Sequence, residues 1–172
     1  EAEVKTLNDS GQYDISLKKT LDFLNSKSLS NEDICYTNLI ISETYKRILD
    51  YENVFIYLDK AQKAANNITV NQDYYLDNIA CQKAFALFDT KKHQEAKTMM
   101  NALASSKYRN ISKESQAILI MQEAYLLFLD QKYSEAESKY DLAITEMLKV
   151  DPCNLPIVYG KKIALYGEMK NE

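Results

Sequence analysis

Apolar residues recur along this chain at intervals of three and four far more often than they alternate, the period of an α-helix with one face on a core. Over 72 to 89 the recurring positions are Ala80, Ala84 and Leu87, and over 92 to 104 they are His93, Ala96 and Met100. The first run predicts a helix from about Gln72 to Asp89, the second a helix from about Lys92 to Ala104, with a tight turn between them. Small residues at Ala84 and Ala96 let the two backbones approach, and larger apolar neighbours fill the flanking grooves. Capping residues mark further starts: Ser30 followed by Asp33, Ser112 with Glu114 in the first turn, and Asn154 with Pro156 in the first turn.

The pattern repeats. "QKAFALFDTKKHQEAKTMMNAL" (82 to 103) aligns without gaps on "QEAYLLFLDQKYSEAESKYDLA" (122 to 143), a shift of 40 residues. Gln82, Ala84, Leu87, Phe88, Lys92, Glu95 and Ala96 meet Gln122, Ala124, Leu127, Phe128, Lys132, Glu135 and Ala136, and His93 meets Tyr133. Upstream, Ser42, Tyr45, Tyr51, Val54, Leu58 and Ala61 fill the same slots 42 residues earlier. Gly11 and Tyr13 supply the turn and first aromatic of a half copy, and 155 to 172 reads as the first helix of another, with Gly160 or Ala164 as its small residue. This predicts one array: a partial repeat 1–29, repeats 30–70, 71–110 and 111–153, and a partial repeat 154–172, joined by short polar linkers such as "SSKYRNIS". Helix pairs cut at both ends, and a first residue other than Met, predict a piece of a longer chain.

Composition narrows the picture. Three glycines and two prolines in 172 residues are too few to punctuate a β fold, so the chain should be almost all helix. A net charge of −4, with Arg47 and Arg109 the two arginines, provides no basic patch for phosphates, and nucleic acid is not an expected partner. Cys35, Cys81 and Cys153 are too widely spaced for a zinc site or a disulfide framework and read as free thiols. No apolar run approaches the roughly 20 residues that span a bilayer. The compartment, periplasmic or cytoplasmic, stays open.

"YSEA" (133 to 136) and "HQEA" (93 to 96) place a small residue three positions after the residue that follows the turn, and "YENV" (51 to 54) puts Val54 there. This arrangement resembles the tetratricopeptide repeat, with Asp151 and Pro152 resembling its terminator about a turn late. The resemblance implies an all-α fold, an α-solenoid of antiparallel helix pairs in a right-handed superhelix, here with repeats of about 40 residues rather than 34. It also implies that the first helices line a concave groove where peptides or helices bind. Members that clamp the carboxylate tail of chaperones carry Lys, Arg and Asn on that side. The matching slots here hold Leu39 and Glu43, Cys81 and Phe85, Met121 and Tyr125, so that function is not expected.

His93 stands where Tyr13, Tyr51 and Tyr133 stand in the other copies, so it is expected to pack rather than to react or bind metal. No phosphate loop, GxSxG or HExxH accompanies it, and neither an enzyme nor a cofactor is expected. The candidate partner-binding residues are Cys81, Phe85 and Phe88, spaced by four and three, Met121, Tyr125 and Phe128 at the same spacing, and Glu43. Both triplets lie to one side of the small-residue face, Phe85 and Tyr125 about 100° around their helices from it. Packing against the neighbouring pair is the favoured reading for Phe88 and Phe128, groove exposure for Phe85 and Tyr125. The expected function is a protein-interaction or sensor module of a larger bacterial regulatory protein, with a protein or peptide partner. Such repeat regions resemble those of Bacteroidetes transcriptional regulators and sensor kinases. A scaffold without signalling, and a helical-repeat binder of a small molecule or nucleic acid, are the alternatives.

Overall fold

Helices form where the three-and-four spacing places them. The computed structural model describes residues 2–26, 28–150 and 152–170. Among these residues it contains α1 (Ala2–Asp9), α2 (Tyr13–Leu24), α3 (Asn31–Arg47), α4 (Tyr51–Ala65), α5 (Gln72–Asp89), α6 (His93–Ser105), α7 (Lys113–Leu129), α8 (Tyr133–Val150) and α9 (Leu155–Met169), a 3-10 turn at Pro152–Asn154, and no strand. The helices pack in adjacent pairs, α3 with α4 and α7 with α8 most extensively. By contact the chain divides into two compact units, Glu1–Thr90 and Lys91–Glu172, and the division falls in the turn inside repeat 71–110.

Each first helix passes to its second through three residues, and the middle one is left-handed: Gly11 (φ 75°), Leu49 (62°), Lys91 (62°) and Gln131 (59°). The reversal lets the next N–H turn back onto the helix end. Gln12 donates to the Leu7 carbonyl at 2.8 Å, Asp50 to Tyr45 at 3.0 Å and Lys132 to Leu127 at 2.9 Å, satisfying carbonyls that a helix C-terminus leaves open. Ser30 starts α3 with a full capping box, its hydroxyl accepting from the Asp33 N–H at 3.1 Å and its own N–H donating to Asp33 Oδ2 at 3.3 Å. Ser112 caps α7 through the Ser115 N–H. Asn154 makes no side-chain cap bond, contrary to expectation. Its backbone is already helical (φ −88°, ψ −6°), continuous with the 3-10 turn, whereas a capping side chain needs an extended backbone to fold over the first turn. Asp151, half of the expected terminator, lies outside the described residues.

The small-residue seam is as the repeat predicts. Ser16, Val54, Ala96 and Ala136, each three positions into its second helix, are at most 2% exposed, and Ser42, Ala84 and Ala124 on the first helices are fully buried. Four positions further on, Thr20, Leu58, Met100 and Tyr140 continue the buried stripe. The first unit centres on Cys35, Leu39, Val54, Leu58 and Ile79, the second on Met121, Ala124, Tyr140, Met147 and Leu165. In α9 the buried residues are Val158 and Leu165, so both candidate small residues of the tail, Gly160 and Ala164, face outward.

Candidate functional site

In the first unit the first helices are stitched by polar contacts. Asn8 Nδ2 donates to Thr44 Oγ1 at 2.9 Å between α1 and α3, and Ser42 Oγ donates to Gln82 Oε1 at 2.6 Å between α3 and α5. Cys81 is buried at 3% exposure and Phe85 at 8%. Groove exposure was the expectation for Phe85, but α3 lies against α5 and the Lys46 ammonium sits 4.7 Å from the centre of its ring. That lysine is balanced by Asp89 at 3.8 Å, whose carboxylate also accepts from the Tyr51 hydroxyl at 3.2 Å. Phe88 is partly buried. Glu43 is exposed and pairs with Arg47 at 3.7 Å, one helical turn away.

The second unit is arranged differently. Met121 is buried in the core, Phe128 is partly buried and packs against that core as expected, and Tyr125 is partly exposed. Their rings belong to a line: His93 meets Tyr125 edge-on at 6.1 Å, Tyr125 lies 5.9 Å from Phe128, and Phe128 lies 6.0 Å from Tyr133. Over Tyr125, 4.1 Å from its centre, stands the ammonium of Lys161 on α9. Burial pushes its pKa down from the ordinary lysine value. Sequence reasoning missed Lys161: the 40-residue shift that carries Met121 onto it also carries the buried Ala124 onto the outward-facing Ala164, so the repeat register does not extend into α9. Cys81 and Phe85 thus lie within packing and Phe88 is partly buried, whereas Tyr125, Phe128, His93 and Lys161, all partly buried, come together as a cation and aromatic cluster.

A cleft of about 440 Å³ in the first unit was also not anticipated; it is lined by Val4, Thr20, Phe23, Tyr36 and Ile40, with Glu3 and Lys19 paired at 2.6 Å among its residues. The Lys19 hydrogen bond and charge hold the Glu3 carboxyl below its usual range. Among the described residues no group of three His, Cys, Asp or Glu side chains could hold a metal ion, and no helix is long and apolar enough to cross a membrane.

No family model matches the chain, and no curated protein matches its sequence. Among solved structures, that of Bacillus thuringiensis PlcR in its apo form superposes with a TM-score of 0.63 at 17% identity, over 99% of this chain and 65% of PlcR. The fold is a tetratricopeptide-type helical repeat. At this identity the likeness to PlcR is one of fold, and the present chain spans about 65% of PlcR's length.

Proposed function

We propose that this helical-repeat chain is a protein-interaction module of a larger bacterial regulatory protein and receives a peptide or helix on the face of its first helices. The observation that carries the reading is the line of partly exposed rings, Tyr125 and Phe128 on α7 with His93 and Tyr133 beside them. Aromatic side chains left open at one helical turn of spacing suit the apolar anchors of a peptide. A fold shared with PlcR is compatible with a regulatory setting and does not by itself specify a ligand.

Immobilised chain exposed to pooled synthetic peptides tests the reading. Wild type is expected to retain a subset, and Tyr125→Ser/Phe128→Ser to lose it by at least about tenfold, the loss of one or two anchors. Circular dichroism must show the variant folded. Equal retention by a folded variant removes this face as the binding surface.

A further inference from the structure

Phe85 and Tyr125 occupy the same slot one repeat apart, and each carries a lysine on its ring. What balances the two lysines differs. Lys46 over Phe85 has Asp89 at 3.8 Å. Lys161 over Tyr125 pairs with no carboxylate among the described residues, although Lys162 beside it is engaged by Asp141. Lys161 is partly buried, on a helix packed against α7 and α8. Burial disfavours the ammonium and the ring face recovers part of that cost, so a positive charge is held on the aromatic line with no anion beside it among the described residues.

We propose that Lys161, seated on Tyr125, anchors an acidic side chain in the interior of a bound peptide whose neighbouring apolar residues lie on the adjoining rings. This rests on the peptide-binding reading above. A monovalent carboxylate matches one lysine, whereas a phosphate dianion would leave charge uncompensated in a chain that already carries −4. Rings stand on both sides of Tyr125, His93 at 6.1 Å and Phe128 at 5.9 Å, so apolar residues are wanted before and after the acid. That favours a side chain within the peptide over its terminal carboxylate.

Three pools of acetylated peptides test this on the full 172-residue chain, as wild type, Lys161→Met and Lys161→Glu. The first pool has one Asp or Glu between apolar residues and an amidated end, the second replaces the acid by Asn or Gln, and the third is the second with a free terminal carboxylate. Wild type is expected to retain the first pool about tenfold better than the other two, as one charge-assisted hydrogen bond provides. Lys161→Met loses that preference with an unchanged or higher melting temperature, and Lys161→Glu reverses it. Equal retention of the first and second pools, or retention of the third as strong as the first, overturns the assignment. A melting temperature of Lys161→Met well below that of Tyr125→Leu, which also removes the ring contact, does so as well, because it reveals an internal anionic partner. Retention of no pool by the folded wild type removes peptide binding itself, a different failure from binding without preference for the acid.

Discussion

Cys35 shows how far burial alone alters a group. It is fully buried in the first unit, and desolvation of the thiolate pushes its pKa from about 9 up to about 11. Below pH 9 the folded and unfolded chains both keep the proton, and the thiol adds no pH dependence. Above it the unfolded chain releases the proton while the fold retains it, so stability falls as pH rises and levels off once the folded thiol ionises near 11. The urea-unfolding free energy of wild type should therefore drop between pH 9 and 11 by on the order of 2 kcal/mol more than that of Cys35→Ala. Parallel curves would mean that the thiolate is accommodated in the fold. The same logic places early labelling by a thiol reagent at Cys153, which is exposed.

At the scale of the element, the turns between paired helices expose a strain that the repeat conceals. Gly11 adopts its left-handed backbone freely, but Leu49, Lys91 and Gln131 adopt the same conformation with a side chain attached. Gln131→Gly should stabilise the chain by about 0.5–1 kcal/mol, and Gly11→Ala should destabilise it by about as much. Thermal unfolding checks both, and a loss of stability in Gln131→Gly would show that the side chain is held by contacts stronger than the strain. These slots were legible as turns, because Gly11 and the aromatic two residues later mark them, but the backbone sign at Leu49 was not, since leucine gives no hint of it. The seam was legible for a stronger reason: Ala84, Ala96, Ala124 and Ala136 are small at fixed spacing, and all are fully buried. The candidate surface was less so. Spacing tells which residues share a face of α5, but not that α3 extends Lys46 over Phe85, because each first helix has two flanks and periodicity does not name its neighbour. Lys161 escaped because the register of the tail depended on which of Gly160 and Ala164 lay inside, and both lie outside.

At the scale of the molecule, charges are paired locally, while α9 gathers several exposed apolar side chains on one helix. Lysines meet acids locally, Lys83 with Asp59 at 2.8 Å in the first unit and Lys139 with Glu123 at 2.7 Å in the second, and pairs of this kind add little stability. The outward face of α9 has no such cover. Ile163 is 72% exposed, with Ile157 and Tyr159 also exposed beside Gly160 and Ala164. A contiguous apolar face of that kind drives association once the repulsion of like-charged copies is screened. Sedimentation of wild type should accordingly show self-association that grows with protein and salt concentration. Ile163→Lys should suppress it while leaving unfolding stability within about 0.5 kcal/mol, as expected for a side chain that the fold does not bury. A destabilised variant would mean that Ile163 packs within its own unit, and wild type that stays monomeric at high salt would mean that this face does not drive association.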